Sequence, residues 1–226
     1  RRFFQIIKRE KTMKKGIIFD MDGTLWDSAV SVAESWNIAI AASSLSDKKL
    51  TEEDIKGVMG KTMDVIAEIL FPKLQEDKRK ELLELCCHTE NEYLAEHGGI
   101  LYPKLEETLK LLKEKYPLYI VSNCQSGYIE AFLKFYRFEK YFEDIECYGN
   151  NLKQKGENIR LLADRNGLTE AVYVGDIQGD YDASAAAGVG FIHAAYGFGT
   201  IKEVVPEINS FSELPIAAEK YFQREK

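Results

Sequence analysis

Four short apolar runs, residues 16–19, 118–121, 171–174 and 190–193, each lead into a polar or glycine-bearing turn, and helical periods separate the later ones. Leu105, Leu109 and Leu112 share one helical face; Ile129, Phe132, Leu133 and Tyr136 share another; Ile159, Leu162 and Ala163 share a third. Strands alternating with helices of this length predict an α/β fold, a Rossmann-like doubly wound parallel sheet with crossover helices.

Residues 28–97 break the alternation, because they hold helical stripes and no convincing strand. Ala29, Val32, Ala33, Trp36 and Ile40 form one stripe, Met63, Ile66, Ala67 and Leu70 a second, and Leu82, Leu85, Cys86 and Tyr93 a third. Thr51 followed by Asp54 has the spacing of a capping box, opening a short helix that ends near Gly57 to Gly60. An all-helical insert of about four helices is therefore expected after the first strand, its stripes buried against one another. It explains why 226 residues exceed one ordinary domain. The expected division is 13–27 plus 98–226 for the sheet core and 28–97 for the insert.

Residues 1–12, with basic ends and a short apolar stretch, read as a leader, an upstream-start extension or a basic tail, and Met13 as the natural start. No run of 18 apolar residues occurs, so no membrane partner is expected. The net charge of −7 argues against a nucleic-acid backbone or an anionic membrane surface and points to small molecules. Cys86, Cys87, Cys124 and Cys147 show no C-x-x-C spacing, and adjacent Cys86 and Cys87 suit no structural disulfide, so a reducing cytoplasm is expected. Nothing in the sequence indicates an oligomeric state.

The chemistry concentrates where strands end. Asp20 and Asp22, in Asp20-Met-Asp22-Gly23-Thr24, follow the first run, Ser122-Asn123 follows the second, and Asp176 follows the third, with Asp180 four residues on. Open α/β sheets bind ligands at this carboxyl edge. Carboxylates brought together there repel one another, and a divalent cation held by hard oxygen donors, Mg²⁺ in particular, relieves that repulsion. Asp180 has a second reading, as a helix N-terminal charge complementing the dipole, and Asp182 has only that one.

FDMDGTLWDS, IVSN, a lysine in NLKQKGENIRLL and VGDIQGD occur in the order of the four motifs of the haloacid dehalogenase-like hydrolase superfamily, which the chain from Met13 onward resembles. The helical insert resembles the cap of its phosphoglycolate phosphatase and β-phosphoglucomutase branch. The resemblance implies Asp20 as nucleophile, forming an aspartyl-phosphate, and Asp22 as general acid and then base. It implies Ser122 and Asn123 as phosphoryl ligands, and Mg²⁺ held by Asp20, Asp176 and the backbone carbonyl of Asp22. A second aspartate at Asp22 implies a phosphotransferase rather than a dehalogenase. The expected activity is Mg²⁺-dependent hydrolysis of a small phosphorylated metabolite, phosphoglycolate phosphatase-like.

The third motif offers Lys153 and Lys155; Lys155 is favoured because it directly precedes the helical run, although Gly156 stands where family members often carry Pro. Lys61, in KGVMGK, is a candidate for a second anionic group of the substrate, against its reading as an ordinary interhelical turn. A sugar-phosphate mutase and a pyrophosphatase are the alternatives, the former weakened because the insert lacks a K-G-x-S-R pattern. A non-enzymatic phosphoacceptor module is the remote one, being far shorter and without a helical insert. Cys124 lacks an evident His partner and reads as an inert thiol, and His88, His97 and His193 lack metal-ligand spacing.

Overall fold

The computed structural model describes residues 13–224, so the readings of residues 1–12 lie outside the described residues. In chain order the elements are β1 (Lys15–Phe19), β2 (Trp26–Asp27), α1 (Ala29–Ser43), α2 (Glu52–Lys56), α3 (Met63–Leu70), α4 (Glu76–His97), β3 (Ile100–Leu101), α5 (Leu105–Lys113) and β4 (Leu118–Ser122). There follow α6 (Tyr128–Tyr136), β5 (Phe142–Cys147), α7 (Tyr148–Asn151), α8 (Lys155–Arg165), β6 (Glu170–Gly175), α9 (Gln178–Ala187), β7 (Gly190–Ala194), β8 (Glu207–Ile208) and α10 (Leu214–Gln223).

Six strands form one parallel sheet in the order β5-β4-β1-β6-β7-β8. Strand order reverses beside β1, since β4 and β5 extend the sheet to one side and β6, β7 and β8 to the other. This is the doubly wound arrangement, with its ligand crevice at the switch point. The alternation of a pleated strand sends Ile17 and Phe19 into one helical layer with Leu109, Phe132 and Leu214, and Ile18 into the other with Ile159 and Leu162. Both faces are covered, which is why the strand sequences read as unbroken apolar runs. Phe19 lies opposite Ile120 of β4 and Val174 of β6, so the chain leaves all three strands at the same edge.

Between β2 and β3, which pair as a two-stranded antiparallel ribbon, lie α1 to α4. α1 packs along α4, with α2 against α1 and α3 against α4. Trp36 of α1, buried, stacks on Phe71 with ring centroids 6.2 Å apart. The Thr51–Asp54 capping box forms: Asp54 N–H donates to Thr51 Oγ1 at 3.2 Å, and Thr51 N–H to Asp54 Oδ2 at 2.9 Å. α4 also packs against α6 of the sheet core, holding the insert over the carboxyl edge.

Candidate active site

The turn after β1 opens with Asp20, 2 % exposed, whose N–H donates to Val174 O of β6 at 2.9 Å. Lys155, the first residue of α8 and also buried, donates from Nζ to Asp20 Oδ1 at 2.9 Å and to Asp180 Oδ1 at 2.6 Å. Lys153 is exposed, and its backbone is engaged locally, its N–H donating to Asn151 Oδ1 and its carbonyl accepting from Asn158 Nδ2. Of the two lysines, Lys155 therefore reaches the strand-end cluster.

Asp180 sits both at the start of α9 and against Lys155. Its Oδ2 accepts from the N–H groups of Asp176 and Ile177 at 3.0 and 3.2 Å, capping α9, while its Oδ1 faces Lys155. Asp176 stands between, its Oδ2 accepting from Phe198 N–H at 2.7 Å. One carboxylate oxygen each from Asp20, Asp176 and Asp180 lies within 4.8 Å of the others. Gly23 makes this approach possible: its φ is +82°, and a Cβ there would sit 2.1 Å from Asp176 Oδ2.

Burial pushes the Asp20 carboxyl up to about 7, with the Asp180 charge adding to the shift and Lys155 opposing it. Burial and the charges of Asp180 and Asp20 likewise hold Asp176 well above the usual carboxylate range. For Lys155 burial works against the charge, but Asp180 and Asp20 outweigh it and the ammonium is held more firmly than usual. One cation among three buried carboxyls leaves negative charge uncompensated. The donor set, hard oxygens at the end of a sheet, fits a divalent cation. Asp180 spends both oxygens on protein partners at 2.6 to 3.2 Å, whereas Asp176 Oδ1 meets only the Thr24 hydroxyl, at 3.5 Å.

Asp22 is held differently. Its Oδ1 accepts from Ser28 Oγ at 2.5 Å and Tyr128 OH at 2.6 Å, and the two hydroxyls are 2.9 Å apart. Burial raises the Asp22 carboxyl, against the lowering effect of these two hydrogen bonds. Ser122, 5 % exposed, ends β4 beside this group, and Asn123 donates from Nδ2 to the carbonyl of Gly60 in the insert at 2.9 Å. Lys61, next in that loop, is exposed. Asp20, Asp22, Ser122, Asn123 and Lys61 all line one cavity of about 40 Å³, whose far wall is built from α1 to α4. At ~10–15 Å³ per water, that is room for a few water molecules.

Three contributors escape sequence reasoning. Ser28 is visible within FDMDGTLWDS, but nothing marks its hydroxyl as a partner of Asp22; Tyr128, at the start of α6, carries no local signal. Phe198 acts through its backbone, and the signal was the glycine pair around it: a Cβ at Gly197 would meet Asp176 Cβ at 2.3 Å, and one at Gly199 would meet the Ile177 side chain at 2.8 Å. The stretch that carries these two glycines is drawn tightly over the third strand end.

The family model described as haloacid dehalogenase-like hydrolase matches residues 17–194. The phosphoglycolate phosphatase of Escherichia coli strain K12 is 27% identical over 213 residues, covering 81% of this chain and 82% of that protein; the one from Aliivibrio fischeri is 26% identical over 196 residues, covering 81% and 85%. A Bacteroides fragilis structure described as haloacid dehalogenase-like superposes with a TM-score of 0.75 at 25% identity, covering 89% of this chain and 99% of that one. The fold alone is shared with a Rhodobacter sphaeroides CbbY variant in complex with xylulose-1,5-bisphosphate, at a TM-score of 0.76 and 17% identity, covering 89% and 96%. The chain belongs to the haloacid dehalogenase-like hydrolase family, and over most of its length it is similar to phosphoglycolate phosphatases.

Proposed function

We propose that the chain hydrolyses a small phosphate monoester with Mg²⁺, through a phosphoryl group carried transiently on Asp20. The observation that supports this most is the meeting of Asp20, Lys155, Asp180 and Asp176 at one sheet edge, with Asp22 held separately by Ser28 and Tyr128.

The Asp20 carboxylate attacks phosphorus as the bond to the leaving oxygen breaks. Asp22, whose burial favours its protonated form, gives its proton to that oxygen. In the second half Asp22 takes a proton from water, which attacks phosphorus, releases phosphate and regenerates Asp20. Ser28 and Tyr128 fix the direction in which Asp22 presents its carboxyl. Ser122, Asn123 and Lys155 hold the phosphoryl oxygens, Lys155 also keeping the charge of Asp20 in place. Mg²⁺ would be held by Asp20, Asp176 and the backbone carbonyl of Asp22, with Asp180 behind, and would neutralise phosphate charge.

Residues 28–97 act as a cap that covers this edge and keeps bulk water from the phosphoryl group. The Asn123–Gly60 hydrogen bond supports a covered state, as does the Lys56 ammonium, 3.1 Å from Asp27 and 5.5 Å from the Phe198 ring centre. No helix among the described residues is long and apolar enough to cross a membrane, and all four cysteines are free thiols, which fits a reducing cytoplasm.

The test is phosphate release from p-nitrophenyl phosphate and a panel of small phosphate esters, with and without Mg²⁺. Turnover that needs Mg²⁺ and falls at least about 10³-fold in Asp20→Asn is expected. Multiple turnovers by Asp20→Asn without metal would overturn the mechanism, and release of no more than one phosphate per chain would indicate a phosphoacceptor instead.

A further inference from the structure

Facing the reaction centre across the cavity is a buried carboxyl that the phosphoryl chemistry does not use. Glu90 of α4 is 3 % exposed and lines the same cavity as Asp20, Asp22 and Ser122. Its Oε2 accepts a hydrogen bond from Trp36 Nε1, and Gln125 lies beside it. A carboxyl is costly to bury where a leucine would pack, so a group that meets it in the occupied site is the physical reason to look for.

Two residues that line the cavity each hold a buried side-chain oxygen with no partner among the described residues. The Asn123 side chain is fixed by its Nδ2 bond to the Gly60 carbonyl, which turns its Oδ1 away, buried and unpaired. The Gln125 amide is fixed by a chain: Asn91 Nδ2 donates to Ser126 O at 2.8 Å, so Asn91 Oδ1 is left to accept from Gln125 Nε2 at 3.0 Å. Gln125, itself 8 % exposed, therefore also leaves its Oε1 buried and unpaired. Amide orientation is set here by carbonyl groups, which can only accept. Val32, Ile55, Val58, Met63 and Ile66 make much of the cap side apolar, and among the described residues the one lysine or arginine that lines the cavity, Lys61, is exposed.

We propose that the cap half of the cavity selects phosphate esters whose leaving group presents hydrogen-bond donors, hydroxyl or ammonium, to Glu90, Asn123 Oδ1 and Gln125 Oε1, and selects against a leaving group ending in a carboxylate. The inference rests on the phosphatase reading and adds the substrate class to it. A carboxylate would meet two oxygens that only accept and no buried cation on the cap side, the proton of Glu90 being its one donor there. A hydroxyl or an ammonium satisfies the same oxygens. Burial raises Glu90 to about 8, so an uncharged donor meets a neutral acid near neutral pH, and an ammonium would draw out its ionised form. Sites built to hydrogen-bond a substrate group reject analogues lacking it far more strongly than apolar pockets do.

The experiment measures kcat/KM of the Mg²⁺-loaded wild-type enzyme for glycerol 3-phosphate, phosphoethanolamine and phosphoglycolate, with p-nitrophenyl phosphate as reference. At least one of the two donor-bearing esters is expected to exceed phosphoglycolate by roughly tenfold or more; the first separates a polyol from the second, an amino alcohol. In Glu90→Gln, which keeps an acceptor for Trp36, the ratio of the preferred donor ester to phosphoglycolate should fall by about tenfold. Preference for phosphoglycolate in the wild type, or an unchanged ratio in Glu90→Gln, would overturn the proposal while leaving the phosphatase reading intact. Failure to turn over any ester, p-nitrophenyl phosphate included, would instead overturn that reading. Should Glu90→Gln not fold, the wild-type ranking alone decides.

Discussion

At the scale of single residues, what separates the two aspartates of the first motif is the company each keeps. Burial raises both carboxyls, but Asp20 lies against a buried ammonium that opposes the rise, whereas Asp22 faces two hydroxyls. In the proposed mechanism these different surroundings fit two carboxyls two positions apart for different parts. Asp22→Asn should accordingly cost an alkyl phosphate about 10²–10⁴-fold in kcat, but cost p-nitrophenyl phosphate distinctly less in formation of the phosphoryl-enzyme, because p-nitrophenolate leaves without a proton. Burst kinetics separating the two half-reactions would show it, and equal losses for both esters would remove Asp22 as the acid. Both aspartates were legible in the sequence because they follow an apolar run. Glu90 was not, since it lies in a mostly polar 22-residue helix where an acidic residue has no local reason to be buried. Its environment carries its own prediction. The folded-state carboxyl is raised from 4.5 to about 8, by burial and by the Asp22 charge against the help of Trp36 and Gln125, so the native state holds a proton that the unfolded chain has lost. Stability due to this group is full below about pH 4.5 and declines as pH rises toward 8, by at most about 1.4 kcal/mol per unit. Glu90→Gln should flatten that slope in urea unfolding measured from pH 5 to 8.5; an identical slope would show that Glu90 ionises normally.

At the scale of elements, legibility follows burial on both faces. β1, β4, β6 and β7 read as apolar runs because helices cover both sides of the sheet, whereas β5 did not, since its FEDIEC sequence carries three acidic residues. β5 is an edge strand, and its charges are answered from α8. Arg165 binds Asp144 in bidentate fashion at 2.6 and 2.9 Å, Glu146 at 2.6 Å, and the carbonyl of Ile145 at 2.7 Å. A strand whose acids are neutralised by a residue twenty positions later is invisible to period counting. β8 and the β2–β3 ribbon, two residues per strand, are too short to carry a pattern at all. The Arg165 tether makes α8 and β5 one unit, and α8 delivers Lys155 from its first turn. Arg165→Met should lower stability by about 1–3 kcal/mol, read as a lower urea midpoint at constant slope, because Glu146 is left buried without its partner. A midpoint unchanged within error would mean that the guanidinium fork adds nothing beyond a solvated surface pair.

At the scale of the whole molecule, a chain of net charge −7 gathers three carboxyls and one lysine at a single sheet edge and then covers them with helices. Such an arrangement is costly when the protein stands alone, for the carboxyls repel one another in a medium that screens them poorly. A cation that binds there stabilises the folded chain and finds no such cluster in the unfolded one. At a hundred times its dissociation constant Mg²⁺ would therefore add about 2.7 kcal/mol, and with roughly 2–4 °C per kcal/mol for a chain of this length the midpoint of thermal unfolding should rise by roughly 5–10 °C. Chelation should reverse the rise and abolish turnover together. Asp176→Asn separates the two contributions. Lacking one of the repelling charges, it should unfold at an equal or higher temperature than the wild type in chelator, yet show little further rise with Mg²⁺. If it unfolds lower in chelator and still gains the full shift with the metal, then Asp176 is a structural acid held by Phe198, and the cation lies elsewhere.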